Sequence, residues 1–149
     1  MARANLSDAI QDYLRAIFKL GGEGRGKVTT TALAREMRVS AASASAMVKK
    51  LAVLDLVEHA PYRGVALTAA GNRVAVEITR HHRLLELYLA QTLGIAVDDV
   101  HAEADRLEHV LSEELESRID EALGFPTHDP HGDPIPDANL KWPPESEHP

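Results

Sequence analysis

No cysteine occurs among the 149 residues, so there is no disulfide framework, no thiolate nucleophile and no thiolate metal site. That absence fits a reducing compartment, and the cytoplasm is the expected location. Aromatic residues make up only 4%. Seven of the eight prolines fall after residue 124, which leaves the earlier chain open to long helices. No apolar run approaches the roughly 20 residues needed to span a bilayer, so no membrane partner is expected. The opening MARANLSDAIQDYL is charged and amphipathic rather than a secretory leader. At this length the chain makes one domain, or two small lobes.

Charge is unevenly spread. Residues 1–64 hold ten Lys and Arg against six Asp and Glu, and residues 65–149 hold six against seventeen, which together give the net −7. A basic front can meet phosphates while an acidic back holds something cationic.

The spacing predicts a first helix from a Ser7 cap to about Leu20, its apolar stripe made by Ile10, Tyr13, Leu14 and Ile17. GGEGRG at 21–26 breaks it. TTALAREM at 30–37 and a second segment from about 41 to 54 read as two helices joined by a turn through Arg38, Val39 and Ser40. The Ser/Ala-rich start of the second resembles a linker, but alanine is the best helix former and the segment runs straight into an amphipathic one. VEHA, PYRG and VALT then read as a β-hairpin over 57–68. Helix, turn, helix, hairpin is the order of a winged helix-turn-helix, whose second helix enters the DNA major groove. In that role Ser40, Ala42, Ser43, Ser45 and Ala46 present small groups to base edges, Lys49 and Lys50 meet phosphate, and Arg63 reaches out from the wing.

Beyond the hairpin, 68–94 predicts one long helix or two in series, and 96–124 two more with breaks near 111–112 and at Gly124. The proline-rich remainder reads as loop and loose tail, with Trp142 its natural docking residue. In HAEADRLEHV, stepped at 100° per residue, His101, Asp105, Glu108 and His109 share one stripe, with Ala104, Leu107, Val110 and Leu111 on much of the other side. Asp105, Glu108 and His109 stand at i, i+3 and i+4, where side chains converge. His82 and Glu86 form another i, i+4 pair, and Asp12 lies on the polar face of the first helix. Carboxylates with imidazoles and no sulfur suit Mn²⁺ or Fe²⁺ better than copper or structural zinc.

From about Ser7 to Pro136 the chain resembles the diphtheria toxin repressor and manganese transport regulator family of metal-dependent transcription factors. The resemblance is carried by DYLRAIFKL (12–20), VSAASASAMVKKL (39–51), YRGVALTAAG (62–71), HRLLE (82–86), HAEADRLEHVLSEELESRI (101–119) and GDPIP (132–136). It implies a mainly α protein: a winged helix-turn-helix DNA-binding lobe over 1–71, a helical metal-binding and dimerisation lobe over 72–136, and a tail over 137–149. It further implies a homodimer on a palindromic double-stranded operator, repressing metal-uptake genes when metal is bound. By motif position the primary metal site would use Asp12, Asp105, Glu108 and His109, and an ancillary site His82, Glu86 and His101. Asp12 and Asp105 stand where the iron-responsive branch has methionine and cysteine, which favours Mn²⁺, with Fe²⁺ as the alternative.

Two departures from the family qualify this. Arg15 replaces a glutamate ligand of the manganese branch, so its two-metal cluster is not assumed. The chain is expected to end before the SH3-like domain that completes the ancillary site in iron-responsive members. His128, His131 and Asp133 are substitutes by residue type, read first as plain loop residues. Two other classes fit parts of the pattern: a winged-helix regulator sensing an organic ligand, and a metal-assisted hydrolase. No nucleophile motif supports the latter, and no enzymatic activity is expected.

Overall fold

The structure is a computed structural model, and it describes residues 6–23, 26–60 and 63–144. The chain divides into two compact units, one up to Val76 and one from Glu77.

The first unit holds α1 (Asp8–Leu20), α2 (Thr30–Met37), α3 (Ala41–Val53), β1 (Val57–Ala60) and β2 (Gly64–Leu67), and the start of α4 (Ala69–Gln91). Each helix begins where a hydroxyl can satisfy an orphan backbone donor. The side chains of Ser7, Thr29 and Ser40 accept from the N–H groups of Ile10, Ala32 and Ser43 at 3.2, 3.0 and 3.1 Å. The turn between α2 and α3 closes as a Schellman motif: Arg38 N–H donates to Arg35 O and Val39 N–H to Ala34 O. Arg38 takes a left-handed φ of 57° there, although it is not glycine. α3 ends the same way on Asp55, with Leu56 N–H donating to Leu51 O.

β1 and β2 form the antiparallel hairpin, Val57 opposite Leu67 and Ala60 opposite Gly64, and Val28 bridges the outer side of β2 at Val65. The Pro61 and Tyr62 of the expected turn lie outside the described residues. Leu14, Ile17, Leu33, Ala44, Val48, Leu51 and Val65 are almost wholly buried and make this unit's core. Each large aliphatic side chain buried there contributes about 1.5–3 kcal/mol. Thr68 fastens the hairpin to the next helix, its Oγ1 donating to Asp55 O at 2.8 Å and accepting from Gly71 N–H at 3.1 Å. The fit is tight enough that a Cβ on Gly71 would clash with the Leu56 carbonyl. The winged helix-turn-helix arrangement expected from the sequence is therefore present.

The second unit holds most of α4, then α5 (Val100–Leu107) and α6 (Glu113–Ala122), followed by a non-helical segment. Leu85 of α4 packs with Ala104, Leu111 and Ile119, while Leu84 and Leu87 pack with Ile135. Positions 84 and 85 thus send two successive leucines to two different clusters, because α4 is covered on several sides. A buried cluster of charges adds to this. Arg80, with its side chain 3% exposed, donates to Glu116 Oε1 at 2.8 Å, Asp120 Oδ2 at 3.1 Å and Pro136 O at 2.9 Å. His81 Nε2 lies 2.7 Å from Glu116 Oε2. Arg83 donates to Pro134 O at 2.6 Å, and its guanidinium lies 5.8 Å from the ring centre of Trp142.

The tail is not loose where it is described: Asp137 Oδ1 accepts from the N–H groups of Asn139 and Lys141 and closes a turn. No described helix is long and apolar enough to cross a membrane.

Candidate metal centre

α4 and α5 together assemble the centre. His82 and Glu86 sit one turn apart on α4 and are both buried. His101 and Asp105 sit one turn apart on α5. The helix then stops at Leu107, so Glu108, His109 and Val110 lie in a turn rather than on a continued stripe. This changes the sidedness expected from 100° stepping. Glu108 is fully buried, whereas Leu107 and Val110, assigned to the apolar side, are 39% and 75% exposed. A carboxylate turned inward while two aliphatic residues face out cannot be explained by hydrophobic burial.

What Glu108 meets inside is His82. Its Oε2 stands 2.7 Å from His82 Nδ1. A carboxylate only accepts, so Nδ1 carries the hydrogen and donates. In the neutral ring Nε2 is then a bare lone pair, the state a metal ligand requires. That Nε2 faces His101 Nδ1 at 3.1 Å and Glu86 Oε2 at 3.3 Å, and His101 Nδ1 is itself 3.4 Å from Glu86 Oε2. Glu86 Oε2 is buried and forms no hydrogen bond of good geometry with either ring. Three ligand-type atoms thus converge on one point; the two ring nitrogens can share a hydrogen, while the buried Glu86 oxygen is left over, and a divalent cation would satisfy it.

Asp105 lies beside the same imidazoles, its Oδ1 3.4 Å from His82 Nδ1 and its Oδ2 3.4 Å from His101 Nε2. His109 Nε2 is 3.5 Å from Glu108 Oε1. The expected ancillary set, His82, Glu86 and His101, is brought together. Asp105 and Glu108 of the expected primary set are drawn to His82 as well, so the two sets share that ring rather than standing apart. Asp12 is half-buried on α1, in the other unit.

Burial alone would raise the Glu86 pKa. The imidazoles of His82, His131 and His101 outweigh it and leave the carboxyl below its ordinary value. Asp129 goes the other way: burial, then the neighbouring charges of Asp133 and Glu86, push it up despite two backbone N–H donors. Sequence reasoning missed Asp129, although the turn-forming run DPHGD was a usable signal. It also missed Arg80, Glu116 and Asp120, for which only the i, i+4 spacing of the two acids on α6 gave a hint.

On the first unit Ser40, Ala42, Ser43, Ala46, Lys49 and Lys50 are all exposed along α3, and Arg63 is exposed beside the hairpin turn. Ser45 is half-buried, on the flank of that face. The Ser40 hydroxyl is committed locally, donating to Ser43 Oγ at 3.0 Å while it caps the helix. It serves the start of α3 before it can serve a base.

A winged helix-turn-helix with exposed small and basic residues, and a helical unit enclosing a histidine–carboxylate cluster, define a two-part regulator class. Comparison with known proteins bears this out. Residues 5–65 match the N-terminal DNA binding domain of the iron dependent repressors, and residues 68–137 their metal binding and dimerisation domain. The chain belongs to the iron-dependent repressor family.

It is 36% identical over 132 residues to the iron-dependent repressor IdeR of Mycobacterium leprae, covering 89% of this chain and 57% of that protein. It is 33% identical over 114 residues to an uncharacterized HTH-type transcriptional regulator of Methanocaldococcus jannaschii, covering 76% of this chain and 91% of that protein. Among solved structures, a manganese-dependent transcriptional repressor in complex with manganese superposes with a TM-score of 0.83. The two are 47% identical, with 91% of this chain and 62% of that one covered. The chain thus spans little more than half the length of the curated relatives it matches first.

Proposed function

We propose that this chain is a metal-dependent transcriptional regulator that binds DNA when loaded with a divalent cation. The observation that carries this reading is the convergence of buried His82 and Glu86 with exposed His101, continued through Glu108 and Asp105, in a protein of this family. His82, Glu86, His101, Asp105, Glu108 and His109 would hold the ion. Following the resemblance, Asp12 of α1 supplies a further oxygen, which gives cation binding a route to the DNA-reading unit.

Bound there, the cation supplies positive charge that offsets a crowd of buried carboxylates. Oxygen and imidazole donors without sulfur favour Mn²⁺, with Fe²⁺ the alternative. The names of the relatives point both ways, one iron-dependent and one manganese-dependent.

The functional form in this reading is a homodimer on a palindromic operator in the cytoplasm, with two α3 helices spaced roughly 34–36 Å apart in successive major-groove turns. Metal favours the DNA-competent conformation, and DNA in return tightens metal binding by the same factor. Repression of metal-uptake genes follows as the output.

The test begins by selecting DNA from a random pool with the Mn²⁺-loaded protein, then titrating EDTA and Mn²⁺ or Fe²⁺ into a gel-shift assay with the selected fragment. Binding that disappears with EDTA and returns with metal supports the reading. Binding indifferent to EDTA would end it.

A further inference from the structure

α2 and the turn after it carry cations that the fold itself does not use. Arg35 is exposed near the end of α2, and Arg38 is exposed in the turn three residues later. Neither side chain forms an ion pair among the described residues, whereas Arg80, Arg106 and Arg118 each do. With Leu20, Ala32 and Glu36 they line an open notch of about 340 Å³. The one carboxylate among these, that of Glu36, lies 3.6 Å from Lys19 Nζ, so the notch and its rim hold three cations against one anion.

The backbone at Arg38 adds a second observation. Its φ of 57° closes the turn between α2 and α3, a conformation that glycine adopts freely and a long side chain holds only under strain. Glycine or asparagine would close the same Schellman turn with less strain, so the turn does not account for a guanidinium there. Burial does not account for it either, since the residue is exposed. Two residues further on, Ser40 caps α3. In a helix-turn-helix that end of the second helix enters the major groove, and the first helix crosses the sugar–phosphate backbone. Phosphates line the groove edges, and a planar guanidinium offers them paired donors.

We propose that Arg35 and Arg38 grip the phosphate backbone at the edge of the groove that α3 reads, so that the notch is an anchor setting how α3 sits on the duplex. The proposal rests on the DNA-binding reading above and adds to it two cations outside the reading helix and the wing. Such contacts fix register and orientation without reading sequence.

The test uses the full Mn²⁺-loaded chain, the fragment selected from the random pool and a scrambled duplex of equal length, in a filter-binding salt series. Losing one phosphate contact should weaken binding about 5- to 10-fold at about 0.1 M salt and lower the slope of log affinity against log salt by about 1. Arg35→Ala and Arg38→Gly should each do this, equally on both duplexes, and the double variant should lower the slope by about 2. Glycine relieves the strain at positive φ, so Arg38→Gly should melt close to the unmodified chain, which separates a lost contact from a lost fold. Arg38→Lys, which keeps the charge, should keep the slope. If Arg35→Ala and Arg38→Gly retain the parent's affinity and slope while Lys49→Ala loses both, the notch faces no phosphate and the proposal fails, leaving the broader reading intact. A loss confined to loading of a second copy on longer DNA, with single-site affinity unchanged, would assign the notch to an acidic face of another molecule of this chain and equally overturn the proposal. If the unmodified chain binds neither duplex, the DNA-binding reading and this proposal fall together.

Discussion

Substituting Glu108 by glutamine separates metal binding from folding. Glu108 is fully buried, with Oε2 2.7 Å from His82 Nδ1. Glutamine has nearly the same volume and keeps a carbonyl oxygen to accept from that ring, so the change removes charge and little else. Holding an ion away from water costs several kcal/mol, and beside a neutral His82 ring the Glu108 carboxylate has no full positive charge to offset that cost. Glu86 and Asp105 already place two more carboxylates around the same imidazole, 3.3 and 3.4 Å away, which adds repulsion for the substitution to relieve. Without metal, Glu108→Gln should therefore melt at or above the temperature of the unmodified chain.

With Mn²⁺ the order reverses. A ligand present at 100 times its dissociation constant stabilises the folded state by about 2.7 kcal/mol. For a protein of this size that is a rise of about 5–10 °C. The unmodified chain should show this shift, and the variant should lose most of it. Circular dichroism melts in EDTA and in Mn²⁺ measure both quantities on one sample. A variant that melts well below the parent in EDTA, yet gains as much from Mn²⁺, would mean that Glu108 is a structural acid and the site is elsewhere.

Lys49→Ala, which removes an exposed cation of α3, should weaken operator binding about equally for all sequences and lower the slope of log affinity against log salt by about 1 in a filter-binding series. Glu116→Gln should cost about 3 kcal/mol near neutral pH in urea titrations, because Arg80 keeps only Asp120 as a charged partner. Burial raises the Glu116 pKa, but His81 and Arg80 bring it below its ordinary value of 4.5. A carboxyl depressed on folding stabilises above its unfolded pKa, and that stability disappears as pH falls through the folded value. The variant should accordingly show a flatter acid limb below about pH 4.5, and an unchanged limb would exclude the ion pair as its source. Gly71→Ala should destabilise by about 1–3 kcal/mol, since the added Cβ collides with the Leu56 carbonyl, and a change within experimental scatter would show that the backbone there yields freely.

The helices and the hairpin were legible because their signals are local. Ser7, Thr29, Ser40 and Ser112 announce helix starts, and the period of the apolar residues does the rest. The end of α5 was not legible, since nothing in RLEHVL marks Leu107 as its last residue, and the inward turn of Glu108 is decided by His82, 26 positions away. The members of the histidine–carboxylate cluster were readable as residue types at helical spacing. That His82 would serve two sets at once depends on how α4 and α5 approach each other, which no spacing encodes. Asp129 was hidden for a similar reason: a carboxylate in a proline–glycine loop reads as solvated until tertiary packing buries it.

Four successive residues of α4 divide among three partners. Arg80 and His81 secure α6 through Glu116, His82 faces the histidine–carboxylate cluster and Arg83 holds the closing segment. Successive side chains on a helix diverge by 100°, so this quartet works like the teeth of a key. Inserting or deleting one residue upstream within α4 would rotate all four away from their partners at once, and no single compensating substitution would restore them. In the proposed reading, metal preference is therefore most safely altered from α5, where a ligand can be exchanged without disturbing the shaft that carries the other three contacts.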